Sequence, residues 1–408
     1  MRVLFIHQNF PGQFRHVALA LAQQKGNEIA ALTDAANKQS LAGVVIGRYP
    51  APPPPPDGLS RSAATLVHRF RRAETVAGAL IELRRRGFKP DVIVGHPGWG
   101  ELMLVKEIFP ASPLIVHAEF FYSAEGADVG FDAEFPDVTD ELRIRLKAKN
   151  LPLLAALADC SVAVAPTAWQ ASRFPTAFAG QIVTIHEGIR TDLVKPDAGA
   201  SYAHGTGGRT FRPGDELITF VNRNLEPMRG FHIFMRALPR ILAARPEAHV
   251  VIVGGDGVSY GPAAPNGETW KARFLTEVKD RLPLDRVHFV GQIPYQSFVG
   301  LMQATRLHVY ATYPFVLSWS MLEAMSAGAL VLGSATPPVT EMIEHGRNGL
   351  LYDFFDLDSL EQSAIAALAE PERFADIRER ARRTIVERFD LSAVCLPAWR
   401  ARIEASAR

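Results

Sequence analysis

Short apolar runs rich in β-branched residues alternate with longer stretches of helical periodicity along most of the chain, and this alternation limits the fold more than any other feature. Strands joined through helices lie parallel, and a parallel sheet covered on both faces needs strands that are apolar throughout. In the first half, strands are expected at Val3–His7, Ile29–Thr33, Val92–Gly95, Leu114–His117, Val162–Ala165 and Ile182–Ile185. Helices are expected over Phe14–Gln24, Ser62–Arg86, Gly100–Phe109 and Thr139–Ala158. The second half repeats the rhythm, with strands at Leu217–Asn222, His249–Gly254, Val287–Val290, Leu307–Ala311 and Leu330–Gly333. Its helices are expected over Gly230–Ala244, Glu268–Leu282, Tyr295–Ala304 and Trp319–Ala327. After Leu351 the chain reads as helices alone.

One hydrophobic core seldom grows past about 250–300 residues, so 408 residues imply two domains. The join is expected within Pro196–Pro213, where Pro196-Asp197-Ala198-Gly199 and His204-Gly205-Thr206-Gly207-Gly208 collect turn formers and few large apolar residues. That gives domains over 1–195 and 196–385, with a helix over 386–408 packing back toward the first. Five consecutive prolines, Pro52–Pro56, read as a stiff loop. Lys plus Arg (44) nearly balances Asp plus Glu (43), so no overall field points to nucleic acid. Two cysteines, Cys160 and Cys395, are too few for a disulfide framework. The apolar run at the N-terminus is too short for a signal peptide and no run approaches a membrane span. A soluble, cytoplasmic setting is the expectation.

In open α/β sheets ligands bind at the carboxyl ends of the strands, so the residues there carry the chemistry. The first strand ends in His7-Gln8-Asn9-Phe10-Pro11-Gly12, where Gly12 lets backbone approach an anion ahead of a helix; an ordinary turn fits equally well. The first strand of the second half ends in Arg223 and runs on to Arg229-Gly230. Guanidinium forks suit phosphate oxygens, although two solvated arginines would look the same. Tyr313-Pro314-Phe315-Val316-Leu317-Ser318-Trp319-Ser320 leads into a helix that Gly328 should end, and its free N–H groups suit a phosphate. Within it Glu323 is either a ligand of the bound molecule or the partner of Ser320 in a capping box. His117 ends a first-half strand and reads as structural or as a site residue. Beyond it, Glu119, Phe121 and Tyr122 combine a carboxylate with aromatics, a set suited to packing or to a sugar.

Taken together, these residues resemble the family 4 (group 1) retaining glycosyltransferases of the GT-B fold. In that family a basic residue ends the strand, as Arg223 does, and a lysine stands before the following glycine, where this chain has Arg229. Glu323-Ala324-Met325-Ser326-Ala327-Gly328 matches the family's helix. The resemblance implies an α/β chain of two Rossmann-like domains whose parallel sheets face across a cleft, with helices at the C-terminus. It implies that Arg223 and Arg229 neutralise the leaving diphosphate of a nucleotide sugar and that Glu323 accepts from its ribose. N–H groups of Ser318, Trp319 and Ser320 would meet the distal phosphate or sugar. Gly254 corresponds to the family's glycine loop at the end of a neighbouring strand in the donor site, Gly291-Gln292-Ile293 to the loop that contacts the base, and His117 to a histidine that positions the sugar. Glu119, Phe121 and Tyr122 would face the acceptor. In one place the pattern breaks: Phe315 occupies the position of the family's first glutamate, so the sugar pocket is altered. Either the donor sugar lacks a polar group there, or Phe315 turns into the core.

The expected reaction moves a hexose from a UDP- or GDP-linked donor to a hydroxyl of a saccharide or lipid-linked acceptor, with retention. No cofactor is implied beyond the nucleotide sugar, and no metal, because two arginines supply the positive field; Asp356-Leu357-Asp358 precedes a late helix and reads as a cap. Removing either arginine should then affect activity and leave stability almost unchanged. Arg61, Arg69, Arg71, Arg72, Arg84, Arg85, Arg86 and Lys89 crowd one helix and its end, a solvated face or a peripheral contact with the inner face of a membrane. A sugar-nucleotide epimerase, a phosphorylase of the same fold and a non-catalytic nucleotide-sugar-binding protein are the alternatives.

Overall fold

Seven strands build the first sheet: β1 (Arg2–Ile6), β2 (Glu28–Asp34), β3 (Val44–Tyr49), β4 (Val92–Gly95), β5 (Leu114–His117), β6 (Val162–Ala165) and β7 (Ile182–Thr184). Their order is β3-β2-β1-β4-β5-β6-β7, and all neighbours are parallel. The computed structural model describes residues 1–135, 138–205 and 208–407. Its contacts divide the chain into Met1–Gly188 with Ser392–Arg408, and Ile189–Leu391.

The two-residue period of a strand sends alternate side chains of β1 to opposite faces. Val3 and Phe5 join a core with Val17 and Leu21 of α1 (Arg15–Ala22). Leu4 and Ile6 join another, with Val76 and Leu80 of α2 (Arg61–Arg85). Two short helices, α3 (Val105–Ile108) and α5 (Ala168–Ser172), flank α4 (Asp140–Asp159), which adds Ala156 and Leu157 to the α2 side. Helix α4 starts where Thr139 accepts the Leu142 N–H at 3.1 Å. The expected helix over Gly100–Phe109 shrinks to α3, and β3 was not expected from the sequence.

The second unit opens on a small hairpin, β8 (Tyr202–Ala203) with β9 (Thr210–Phe211). Its main sheet contains β10 (Leu217–Asn224), β11 (His249–Gly255), β12 (Val287–Gly291), β13 (Leu307–Tyr310), β14 (Leu330–Ser334) and β15 (Leu350–Tyr352). The order is β12-β11-β10-β13-β14-β15, again parallel throughout. Helices α6 (Phe231–Ala244) and α7 (Trp270–Val278) cover one face, where Phe220 stacks on Phe234 at 4.5 Å. Helices α8 (Tyr295–Ala304) and α9 (Trp319–Ala327) share a core with Leu217, Val251 and Val253. After α10 (Pro337–Thr340) and α11 (Leu357–Ala369), α12 (Ala375–Phe389) adds Ala381, Ile385 and Phe389 to that core.

The division between units falls at Gly188, ahead of the expected Pro196–Pro213. Ile189 pairs with Asp390, and Val194 is fully buried in the second core, so 189–195 belongs to the second unit. The breaker-rich segment is held there because Tyr202 and Phe211 of the hairpin are buried; Thr206 and Gly207 lie outside the described residues. Residue 385, the expected end of the second domain, lies inside α12. Within the first unit, α13 (Leu396–Ser406) places Trp399 and Ile403 in the core of β1 and α1, and Trp399 donates to the His186 carbonyl at 3.2 Å.

Candidate functional site

In each sheet the strand order reverses beside the first strand laid down, at β1/β4 and at β10/β13, and there the carboxyl ends leave a crevice for a ligand. Most of the predicted site residues lie at the carboxyl ends of strands near these two points, with Gly254, Gly291 and Ile293 at the neighbouring β11 and β12 and with Phe121 and Tyr122 apart.

At the β10/β13 edge the two arginines differ in kind. Arg223 is exposed one residue before the end of β10. Arg229 is buried, with 5% of its surface accessible. Its Nη1 donates to Thr312 Oγ1 at 2.9 Å, to the Val316 carbonyl at 2.9 Å and, more weakly, to Tyr310 Oη at 3.5 Å. The rings of Tyr260 and Phe315 lie 5.0 and 5.4 Å from the guanidinium carbon, within cation–π range. Gly230 follows at φ 66°, and a Cβ there would meet Ala311 Cβ at 2.3 Å, so only glycine lets the chain turn into α6. The expectation that losing Arg229 spares stability is therefore corrected: removal would leave buried acceptors unpaired.

Phe315 is 3% exposed and 5.1 Å from Tyr260, turned inward as one of the two readings required. Tyr260 is held in place by a buried carboxylate that sequence reasoning missed. Glu226, fully buried, accepts backbone N–H groups of Ser259, Tyr260 and Gly261 at 3.2–3.4 Å. Helix α9 begins at Ser318, whose hydroxyl accepts the Ser320 N–H at 3.3 Å. Ser320 is thus inside the helix and makes no capping box with Glu323. Instead Glu323 Oε1 accepts the Tyr295 hydroxyl at 2.7 Å, and burial raises its carboxyl above the usual range. Ser318 N–H already donates to Tyr310 Oη at 2.9 Å, so a phosphate taking it would compete with that hydroxyl. Trp319 is 38% exposed, Gly328 ends the helix at φ 87°, and Gly254, Gly291 and Ile293 stand at the ends of β11 and β12.

At the β1/β4 edge His117 is fully buried, between His96 (ring centroids 5.5 Å apart) and Trp399 (6.2 Å). Its Nε2 meets Glu187 Oε1 at 2.9 Å. Burial opposes its charge, but the Glu187 carboxylate outweighs burial and raises its pKa. Glu119 takes Gln13 Nε2 at 2.9 Å and His96 Nε2 at 3.3 Å. Burial would raise this carboxyl, yet His96, His117 and Gln13 hold it at about 2. Gly12 packs against the His7 ring, which a Cβ would meet at 2.8 Å, and its φ of 46° also requires glycine. Phe121 and Tyr122 lie apart from this group: Phe121 contacts Phe174 in the core, and Lys149 sits 3.3 Å over the Tyr122 ring. His7, His96, His186 and Glu187 were not anticipated, because a lone histidine at a strand end has a ready structural reading.

The basic run on α2 does not form one face. Arg72 is buried against Asp34 at 2.9 Å, Arg69 reaches the Lys149 carbonyl and Arg71 the Pro54 carbonyl. Arg61, Arg84, Arg85, Arg86 and Lys89 remain exposed. No helix among the described residues is long and apolar enough to cross a membrane. Cys160 donates to the Leu157 carbonyl, and burial pushes its thiol up to about 11.

A family model described as Glycosyl transferase family 4 group matches residues 25–194, and one described as Glycosyl transferases group 1 matches 208–384. A D-inositol 3-phosphate glycosyltransferase of Streptomyces avermitilis is 26% identical over 182 residues, 43% of this chain and 37% of that protein. The stretch matched thus spans well under half of that relative. A phosphatidyl-myo-inositol mannosyltransferase of Propionibacterium freudenreichii is 23% identical over 70% of this chain and 66% of its own. Among solved structures, HepE of Anabaena in complex with UDP aligns over 100% of both chains at TM-score 0.67 and 18% identity. Sucrose-phosphate synthase from Thermosynechococcus elongatus aligns over 100% of this chain and 99% of its own at TM-score 0.73 and 18% identity. The fold is the GT-B type, two parallel-sheet Rossmann-like units. With matched models over both units, the chain belongs to the family 4, group 1 glycosyltransferases.

Proposed function

We propose that the chain transfers a hexose from a nucleoside diphosphate sugar, bound by the second unit, to a hydroxyl of an acceptor bound by the first, with retention of anomeric configuration. The main support is the convergence of Arg223, the Arg229 cradle, the start of α9 and Glu323 on one strand edge. That edge offers fixed positive charge where a diphosphate leaves, and a carboxylate where a ribose would bind. As the bond from the anomeric carbon to the diphosphate oxygen breaks, both electrons stay on that oxygen, and Arg223 is the exposed cation suited to meet them. Arg229 shapes the 313–318 loop and lends its charge from beneath. Retention follows the family. The donor base is uracil or guanine: HepE is described with UDP, and a Corynebacterium glutamicum relative is named for GDP-mannose. Contact of the exposed α2 cations with an anionic lipid surface is part of the proposal, since two relatives are named for phosphatidylinositol-based acceptors.

Donor consumption measured with and without an acceptor panel tests this reading. Consumption should require acceptor and should persist in excess EDTA. Turnover without acceptor would favour an epimerase, none with any acceptor a binding protein, and loss in EDTA restored by Mg²⁺ would overturn the charge assignment.

The arginines should separate by two measurements. Arg223→Ala should lower kcat/KM by about 10²–10³ with melting temperature unchanged. Arg229→Ala should lower activity and also stability, by about 1–3 kcal/mol for each buried acceptor left unpaired. Equal and unchanged stabilities would show that Arg229 anchors nothing.

Glu323 gives a pH test. Its raised pKa means the folded chain holds this proton more tightly than the unfolded one. Ionisation therefore costs stability as pH rises above the ordinary value of 4.5. A ribose is best held by the ionised form, so nucleotide affinity should climb with pH over the same interval. In Glu323→Gln affinity should be weak and flat with pH; unchanged affinity in that variant would remove Glu323 from the site.

A further inference from the structure

Three histidines at the carboxyl edge of the first sheet share a local device. The backbone N–H two residues on donates to the Nδ1 of each: Asn9 to His7 at 2.9 Å, Gly98 to His96 at 3.0 Å and Gly188 to His186 at 3.0 Å. A backbone N–H can only donate, so each Nδ1 is unprotonated and the ring carries its proton on Nε2. Protonating the ring would break that bond, and burial keeps His7 down at about 3.

The fixed tautomers set the polarity of everything they touch. His7 Nε2–H donates to Gln13 Oε1 at 2.9 Å, which turns the amide so that its Nε2 donates to Glu119 Oε1 at 2.9 Å. His96 Nε2–H donates to Glu119 Oε2 at 3.3 Å. Each oxygen of Glu119 thus receives one donor from a neutral group and keeps a lone pair for another. Gln170 Nε2 clamps the Glu119 carbonyl at 2.6 Å, and 32% of the Glu119 side chain stays accessible. The adjacent His117 is paired with Glu187 at 2.9 Å rather than with Glu119. Beside it Trp99, half-buried, lies 4.7 Å from the His96 ring and edge-on to His7 at 5.4 Å.

A preset hydrogen-bond-accepting anion beside an indole suits a molecule with hydroxyl donors on its rim and an apolar C–H face. It repels a phosphate or carboxylate. We propose that Glu119 and Trp99 form a subsite for an uncharged polyhydroxylated acceptor, with Glu119 deciding against phosphorylated ones. The inference rests on the reading above that the first unit holds the acceptor.

Saturation-transfer NMR on the full chain with saturating UDP tests it without requiring turnover, using myo-inositol and glucose against their monophosphates. The neutral ligands should give signal and the phosphates should not. Glu119→Gln should weaken neutral binding by about 10- to 100-fold, the worth of a hydrogen bond to a charged group. Trp99→Leu, at a half-buried ring, should weaken it with the carboxylate intact. Both variants should keep the thermal stabilisation by UDP or GDP. Preference for the phosphates, no binding of either neutral ligand, or binding indifferent to both substitutions would overturn the subsite. Failure of both nucleotides to stabilise the wild-type chain would instead overturn the donor reading.

Discussion

A guanidinium withdrawn from water needs acceptors, and Arg229 finds three for its Nη1 by drawing two strand ends together. Its Nη1 reaches Thr312, the Val316 carbonyl and Tyr310, all beyond or at the end of β13, from a turn that follows β10. Tyr310 in turn accepts the N–H of Ser318, the N-cap of α9, so the position of the helix start depends on the same cluster. Glu226, three residues ahead of Arg229, gathers the 259–261 backbone and lays Tyr260 against the guanidinium. Phe315 belongs to this arrangement: it closes the apolar side of the cluster, where a glutamate would pair with the guanidinium instead.

The fold was largely legible because parallel strands buried on both faces must be apolar throughout, as Val92–Gly95 and Val162–Ala165 are. Where burial is partial the signal fades. Strand β3 lies at the sheet edge with Val45 71% exposed, and its Gly47 and Arg48 interrupt the pattern. The helix over Trp319–Ala327 was readable, but its cap was not: Ser318 and Ser320 are both good caps, and only the backbone decides that Ser318 serves. Arg72 looked like part of a basic face. Its spacing to Val76 and Leu80, four and eight residues on, places it on the buried stripe of α2, a signal that periodicity contained.

The first unit's site was the less legible half. His117 and Glu119 stand out in sequence, yet what gives them their character is a set of residues far apart in the chain. The three His-x-Asn or His-x-Gly turns would have been the available clue, since each puts an N–H where it can lock a strand-end imidazole. The joint effect of the first two, at His7 and His96, on Glu119 needs the sheet order, which sets β1, β4 and β5 side by side. Neutral donors then hold a charge in place without cancelling it, and the arrangement favours hydroxyl recognition over ion pairing.

The central claim is that a nucleoside diphosphate binds the second unit at the β10/β13 edge. Hydrogen exchange with and without saturating UDP or GDP tests it most directly. The account predicts slowed exchange in the backbone from Arg223 to Phe231, around Gly254–Gly257 and from Phe315 to Met321, with the first sheet's edge little changed. Protection confined to the first unit, or to α11 and α12, would contradict it.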